Sequence, residues 1–183
     1  VFGVLEGGKR RAGHVQERDG VTLDADNIPP GGTEDILRRV EALGCSYVVY
    51  STRKHRPGAP RLRIVLPLDR GVTADEYEPV ARKIAEIIDP TMAIYDPTTF
   101  EPSRLMYWPS CCADSEYVYR YGDKPMLSAD GMLEKYTDWQ DWSSWPQVPG
   151  IAEKYRRSAQ RQQDPETKNG IVGAWCRVHP LTE

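Results

Sequence analysis

Long apolar runs are missing from this sequence, and cysteines and histidines are few. No stretch of the 183 residues approaches the roughly 18 consecutive apolar residues that a membrane-spanning helix needs, and no basic-then-apolar leader precedes the first predicted strand. The four cysteines have no paired CxxC spacing, and the adjacent Cys111 and Cys112 suit neither a structural zinc site nor an easy disulfide. We therefore expect a cytoplasmic protein with reduced cysteines and no membrane partner.

A strong basic excess, common in small nucleic-acid-binding proteins, is also absent, since the net charge is −3. The positive charges are nevertheless concentrated in two clusters. One is GGKRR, with Lys9, Arg10 and Arg11; the other is STRKHRPGAPRLR, with Arg53, Lys54, Arg56, Arg61 and Arg63 and no acid. A phosphate-bearing partner accounts for both clusters, and solvated loops are the alternative.

The apolar pattern predicts an α+β fold with a mixed, mostly antiparallel sheet and packed helices. Alternation and β-branched residues predict strands at residues 21–26, 46–52, 61–68, 103–108 and 116–121. Helices are predicted at residues 33–43, where Thr33 is placed to cap, and after Thr73, where Glu76 completes a capping box. A short loop with Pro and Gly joins the second and third strands and favours a hairpin.

The chain divides by composition near residue 150. We expect one folded domain at residues 1–150 and a tail at 151–183 that is first helical and then linker-like, leading to a further domain of a larger protein. Before this boundary, Trp139, Trp142 and Trp145 recur every three residues. They either stack single-stranded bases or clamp the segment onto the core.

Two carboxylates, Asp24 and Asp26, end the first predicted strand in the stretch LDAD. Residues i and i+2 of a strand share a face, so the two side chains project together. Carboxylates this close repel each other unless a cation lies between them. Oxygen ligands without a nearby cysteine or histidine pair favour Mg²⁺ or Mn²⁺ over Zn²⁺; a turn or cap role is the alternative.

Neighbouring polar residues strengthen the metal interpretation. Ser51, Arg53 and His55 follow the next strand, and they face one side if the strand continues through them; hydroxyl, guanidinium and imidazole groups all suit phosphate oxygens. Asp96 follows two apolar residues and precedes Pro97, as a ligand at a strand end does or as an Asp-Pro turn does. Arg104 is placed to reach a phosphate or a base, or to form an ion pair with Glu101 or Asp96.

Three stretches of the sequence resemble, in order, the motifs of the archaeo-eukaryotic primase superfamily. The hxDxD motif corresponds to LDAD, the sxH motif to STRKH followed by RLRIVLPL, and the hD motif to YDPTTFEPSRLMYWPS. The sequences of these motifs are especially similar to those of the primase-polymerase modules that precede a virulence-associated-E-type helicase in phage and mobile-element replication proteins. The resemblance spans about residues 2–145. It implies an RRM-like catalytic core joined to a second α/β unit. The sequence departs from some relatives in lacking a cysteine and histidine zinc knuckle.

The resemblance also implies roles for individual residues. Asp24, Asp26 and Asp96 would bind two catalytic Mg²⁺ or Mn²⁺ ions. The resemblance further implies that His55, with Ser51 and Arg53, contacts the phosphates of the incoming nucleoside triphosphate. From their own positions in the sequence, the further candidates for the triphosphate are Arg61, Arg63 and Arg104, and those for the nucleic-acid backbone are Lys9, Arg10, Arg11 and Lys54. Arg61 and Arg63 share a face of their strand, and they reach the triphosphate or template only if that face is also the one that carries the acids.

We therefore predict a DNA primase or primase-polymerase catalytic domain that performs two-metal nucleotidyl transfer on single-stranded DNA during phage or mobile-element replication. A helicase domain is expected elsewhere in the full-length chain. One alternative is a metal-dependent nuclease or nicking initiator, which three acids and a histidine also permit. Another is a catalytically silent module that binds single-stranded DNA.

Overall fold

The computed structural model of the protein describes residues 2–8 and 14–150. This part of the chain contains five strands and three α-helices. The strands are β1 (Val4–Leu5), β2 (Val15–Ala25), β3 (Tyr47–Ser51), β4 (Leu62–Val72) and β5 (Tyr119–Gly122). The helices are α1 (Thr33–Glu41), α2 (Ala74–Ile88) and α3 (Ala129–Leu133). Residues up to Val148 belong to one compact unit.

The strands form one sheet in the order β1-β2-β4-β3-β5, and each neighbouring pair is antiparallel. β3 and β4 pair as the predicted hairpin, with Val49 opposite Ile64. β4 also pairs with β2, where Arg63 lies opposite Asp24. Because β4 lies between β2 and β3, the succession β2-α1-β3-β4-α2 has the arrangement of an RRM-like core. The predicted α+β class with a mostly antiparallel sheet is confirmed.

The two longer helices begin in different ways. At α2 the hydroxyl of Thr73 accepts the Glu76 N–H at 3.3 Å, and the Glu76 carboxylate accepts the Thr73 N–H at 2.8 Å, so the predicted capping box is present. At α1 the N-cap residue is Gly32, and no side chain caps the helix. The predicted cap by Thr33 is wrong because Thr33 already lies inside the first turn.

One face of the sheet packs against helices, and the other carries polar groups. Val21, Leu23 and Ala25 alternate along β2 and are completely buried, and α2 packs mainly on this strand. Because alternate strand residues point to opposite faces, Asp24 projects from the face that the helices leave open. The sequence pattern of β2 therefore fixes both the core and the orientation of its acids.

The predicted strand at residues 103–108 is wrong. The segment begins with a turn in which the Arg104 N–H donates to the Glu101 carbonyl at 2.9 Å. The Tyr107 carbonyl then accepts side-chain hydrogen bonds, from Arg63 Nη1 at 2.9 Å and from Tyr50 Oη at 3.2 Å. Side chains thus take the place of a partner strand, and the alternating apolar residues belong to a loop.

The tryptophan-containing segment packs back onto the domain. Trp145 Nε1 donates to the Trp139 carbonyl at 2.7 Å, and Arg82 of α2 donates to the Pro146 carbonyl at 2.8 Å. Trp142, in contrast, is 71% exposed. The Arg82 bond ties the end of the segment to α2, whereas the Trp145–Trp139 bond lies within the segment, so the clamp role of the tryptophan rings stays a prediction. The predicted tail at 151–183 lies outside the described residues, and within the described ones no helix is long and apolar enough to cross a membrane.

Candidate active site

Three carboxylates lie together at the end of β2. Asp24 and Asp26 are two residues apart, and a single antiparallel bridge joins the intervening Ala25 to Tyr95. The Asp96 N–H donates to the Asp24 carbonyl at 2.9 Å. Since opposite residues of an antiparallel pair share a face, the bridge brings Asp96 beside Asp24. The topology thus joins the three acids that the sequence motifs nominated.

The 94–100 segment contacts β2 at an edge where, within residues 2–8 and 14–150, no strand pairs with its last residues. β1 pairs only with the first residues of β2, which leaves the later main-chain groups available. The Thr99 hydroxyl accepts the Asp24 N–H at 2.9 Å and donates to the Thr22 carbonyl at 3.0 Å. Asp96 caps the short 3-10 helix Pro97–Phe100 by accepting the Thr98 N–H at 2.9 Å. The main chain and the side chain of Asp96 are therefore both held in place by hydrogen bonds.

Each carboxylate is paired with one arginine. Arg63 Nε lies 2.6 Å from Asp24 Oδ1, and Arg61 Nη1 lies 2.9 Å from Asp26 Oδ2. The third pair is Arg104 Nη2 with Asp96 Oδ2, at 3.2 Å. Of the two outcomes predicted for Arg104, the ion pair with Asp96 is the one present. Arg61 and Arg63 lie on the face that carries the acids, which is the condition set for their predicted role.

The three pairs differ in how tightly the arginine is held. The Asp24 and Arg63 side chains are only 6% and 11% exposed, whereas both partners of the Arg61 pair are about one-third exposed. Arg63 also bonds the Tyr107 carbonyl, and its guanidinium lies 5.9 Å from the centre of the Tyr50 ring. Arg63 is therefore a fixed element of the site, and Arg61 has room to exchange partners.

Burial and the neighbouring carboxylates both disfavour the ionised form of Asp26. Burial raises the pKa of Asp26 above its ordinary value, and the charges of Asp24 and Asp96 raise it further. The guanidinium groups of Arg61 and Arg63 oppose this increase without cancelling it. The folded protein therefore holds Asp26 where additional positive charge would stabilise the ionised form.

The acids line a cleft of about 780 Å³ on the open face of the sheet. Five cationic side chains line the same cleft: Arg53, Lys54, Arg61, Arg63 and Arg104. Positive groups thus outnumber the three carboxylates by two. Within the ranges 2–8 and 14–150, the exposed side chains of Arg53 and Lys54 have no ion-pair or hydrogen-bond partner. The cleft therefore offers uncommitted positive charge to an anionic ligand.

The structure does not bring Ser51 or His55 to the cleft lining. β3 ends at Ser51 and does not continue through His55, so the condition for Ser51, Arg53 and His55 to share one face of a strand is not met. Ser51 is buried, and its hydroxyl accepts the Val118 N–H at 2.9 Å. His55 is 1% exposed, and its Nδ1 accepts the Arg61 N–H at 3.1 Å. Lys9, Arg10 and Arg11 lie outside the described residues.

Several cleft residues were missed by the sequence reasoning. Tyr50 and Thr52 line the cleft on either side of the buried Ser51, and Arg53 lines it from the loop after β3. Tyr107 and Trp108, 74% and 91% exposed, form part of the rim. The end of β3 was not predictable, but large apolar side chains in a segment flanked by prolines are a usable signal of an exposed loop.

The donor set suits a hard divalent cation in its chemistry but not in its present arrangement. Asp24, Asp26 and Asp96 supply carboxylate oxygens only, the ligands that Mg²⁺ and Mn²⁺ prefer. In the described part of the chain, however, no three His, Cys, Asp or Glu side chains are grouped so as to hold a metal. Each of the three carboxylates contacts a guanidinium instead.

Comparison with known proteins gives one family. A family model described as the VapE N-terminal domain matches residues 1–148. No curated protein matches the chain. Among solved structures, the AEP domain of the cyanophage S-2L primase-polymerase aligns with a TM-score of 0.46 and 15% sequence identity. The alignment covers 69% of this chain and 64%, less than two thirds, of the phage chain; a likeness of this size establishes neither fold nor activity.

Proposed function

Because the chain belongs to the VapE N-terminal domain family, as the motif resemblance predicted, we propose that it is a DNA primase or primase-polymerase catalytic domain. It would join nucleoside triphosphates along a single-stranded DNA template. One observation carries the proposal: three aspartates from two distant segments share one face of the sheet, in a cleft with excess positive charge. Phosphoryl transfer needs this combination, because the reacting groups are themselves anionic.

Asp24, Asp26 and Asp96 are the residues that would hold two divalent ions. Bound Mg²⁺ or Mn²⁺ would lower the proton affinity of the attacking hydroxyl and neutralise charge on the triphosphate and the departing pyrophosphate. The protein itself contributes position and electrostatics. Arg63, which is fixed by several contacts, keeps Asp24 oriented toward the cleft.

Arg61, Arg53 and Lys54 are the residues that bind the triphosphate or the nucleic-acid backbone. Arg61 is half-exposed and exchanges Asp26 for a phosphate oxygen when the anionic ligand enters. Arg53 and Lys54 have no partner to leave among the described residues. Arg104 steadies Asp96 and extends the positive wall of the cleft.

His55 supports the phosphate-binding residues from behind the cleft. Its Nδ1 accepts the Arg61 N–H at 3.1 Å. This bond fixes the main chain that bears Arg61. Ser51 acts in the same way by bonding the Val118 N–H and holding the end of β3 in place. The resemblance predicts direct contact of both residues with the nucleotide's phosphates; since both are buried and absent from the cleft lining, the role proposed here is support of the residues that line it.

The test is incorporation of labelled nucleotides on single-stranded DNA, with and without a primer, in Mg²⁺ and in Mn²⁺. The 183-residue chain is compared with the Asp24→Ala/Asp26→Ala variant and with Asp123→Asn, which changes an exposed acid. We expect products from the wild type and from Asp123→Asn and none from the double variant. Products formed without a primer indicate a primase, and primer-dependent products indicate a polymerase.

Two outcomes would replace this proposal. Cleavage of the DNA without any need for triphosphates would indicate a metal-dependent nuclease. Binding of single-stranded DNA without metal-dependent triphosphate binding would indicate a silent binding module. The proposal includes a helicase domain following this one in the full-length protein, a partner that residues 151–183 would connect.

A further inference from the structure

Three exposed tyrosines form a row along β5, outside the cleft. Tyr117, Tyr119 and Tyr121 are 46%, 54% and 63% exposed. The centres of the Tyr117 and Tyr119 rings are 6.4 Å apart with an interplanar angle of 10°, and those of Tyr119 and Tyr121 are 6.0 Å apart. We refer to these three residues as the tyrosine row. Large aromatic surfaces left in water at regular spacing call for a ligand that stacks.

The tyrosine row lies on the open face of the sheet. Arg120, between Tyr119 and Tyr121, reaches Glu34 of α1 at 3.4 Å and therefore points toward the helices. Because neighbouring strand residues alternate between faces, the flanking tyrosines point away from the helices. β5 is the edge strand of the sheet, and the tyrosine row thus forms the outer margin of the face that carries the cleft.

Strand register connects the tyrosine row to the carboxylates. Tyr119 lies opposite Tyr50, Tyr50 opposite Arg63, and Arg63 opposite Asp24. These four residues form one continuous row of side chains across four adjacent strands. At a strand spacing of about 4.8 Å, Tyr119 is about 14 Å from Asp24 along the sheet. A nucleic-acid strand of a few nucleotides spans that distance.

The charges next to the tyrosine row favour a polyanion. Arg53 and Lys54 line the cleft on this face of the sheet, and their side chains have no partner within residues 2–8 and 14–150. Thr52, which precedes them, extends β3 by a hydrogen bond to the Arg61 carbonyl at 3.1 Å. Aromatic rings beside unpaired cations are the combination by which proteins bind single-stranded nucleic acid without reading its sequence.

We propose that the tyrosine row is a stacking platform for the bases of single-stranded DNA, and that Arg53 and Lys54 bind the phosphates where the strand enters the cleft. Tyr117 and Tyr119, being nearly parallel, stack the first bases, and Tyr121 continues the platform along the edge. Only the description of this strand as the template rests on the proposed function.

Binding of a short fluorescein-labelled oligodeoxythymidylate, followed by anisotropy in EDTA without triphosphates, tests the platform apart from catalysis. We expect Tyr119→Leu and Tyr121→Leu each to weaken binding about tenfold, since each removes one stacking surface. Tyr119→Trp restores the stacking surface and should keep wild-type affinity. Phe2→Leu, the same kind of change at an aromatic residue that is 50% exposed just before β1, at the opposite edge of the sheet, should have no effect. Thermal unfolding checks that all variants fold.

Salt dependence separates the rings from the cations. The leucine variants should bind more weakly at every salt concentration with an unchanged slope of log K against log[salt]. Lys54→Gln should reduce the magnitude of the slope by about 0.7, because one phosphate contact is lost. Equal affinities of the leucine variants and the wild type would overturn the proposal. It would also be overturned if the same variants dissociated a dimer while leaving DNA binding intact.

The outcome is distinguishable from that of the proposed function. If the wild type incorporates no nucleotides but the leucine variants lose DNA binding, the stacking platform stands and the polymerase function is contradicted. If the wild type is an active polymerase and the leucine variants bind DNA fully, the polymerase function stands and the platform is contradicted. Photocrosslinking with 5-iododeoxyuridine locates the contact: a crosslinked peptide containing residues 117–121 supports the proposal, and crosslinks only at other peptides contradict it.

Discussion

Replacing Arg63 by Met should destabilise the protein much more than the same replacement of Arg61. The Asp24–Arg63 pair is nearly buried, with side chains 6% and 11% exposed. Removing its cation leaves an uncompensated buried carboxylate, at a cost of about 3–5 kcal/mol. The Asp26–Arg61 pair is 30% and 33% exposed, so water replaces the lost partner and the cost is about 1 kcal/mol or less.

Urea unfolding followed by circular dichroism in EDTA measures both losses. Since the free energy of unfolding changes by about 1–3 kcal/mol per molar urea, the midpoint of Arg63→Met should lie about 1 M or more below that of Arg61→Met. Divalent metal should then raise the free energy of unfolding more in Arg63→Met than in the wild type, because no guanidinium competes for Asp24. At a metal concentration one hundred times the dissociation constant, binding raises the free energy of unfolding by about 2.7 kcal/mol. Equal losses in the two variants, or no recovery with Mg²⁺ or Mn²⁺, would refute the reasoning.

Two further variants test the framework around the site. Thr99→Val keeps the shape of a completely buried residue but leaves the Asp24 N–H and the Thr22 carbonyl without their partner. We expect the free energy of unfolding, measured with urea, to fall by about 1–3 kcal/mol. An unchanged midpoint would contradict the role of the Thr99 hydroxyl. The Arg70 hydrogen bond lowers the pKa of Glu76 below its ordinary value of 4.5, so its contribution to stability is complete above that pH and disappears as pH falls through the lower folded-state pKa. Wild type should therefore exceed Glu76→Gln by about 1 kcal/mol at neutral pH, and the difference should vanish in acid; a difference independent of pH would count against this explanation.

Features set by local chemistry were predictable from the sequence. Alternation in β2 requires Asp24 and Asp26 to share a face, and Thr73 with Glu76 marks the start of α2 through a hydrogen-bonding pattern of four residues. The hairpin of β3 and β4 follows from the short loop between two apolar runs. In each case the deciding interactions lie within a few residues of one another.

Features set by distant contacts were not predictable in the same way. The local sequence allowed Asp96 to be a ligand at a strand end or an Asp-Pro turn, and it could not place Asp96 beside Asp24, because that position depends on a bridge between Tyr95 and Ala25, 70 residues apart. The pairing of Tyr50 with Arg63 places Tyr50 on the cleft face and therefore Ser51 on the opposite one, and a shift of the register by one residue would exchange them. Residues 103–108 have the alternation of a strand but no strand beside them. The exposed tyrosine row required knowledge that β5 is the edge of the sheet.

The most direct test of the proposed active site is primer extension on single-stranded DNA by Asp96→Asn, with Asp123→Asn as the matched control. Asp96 is the acid that only the folded chain brings to the other two, and the substitution preserves the size of the side chain. The account predicts a rate at least about a hundredfold below that of the control, with circular dichroism showing that both variants are folded. Wild-type extension by a folded Asp96→Asn protein would contradict the three-carboxylate centre.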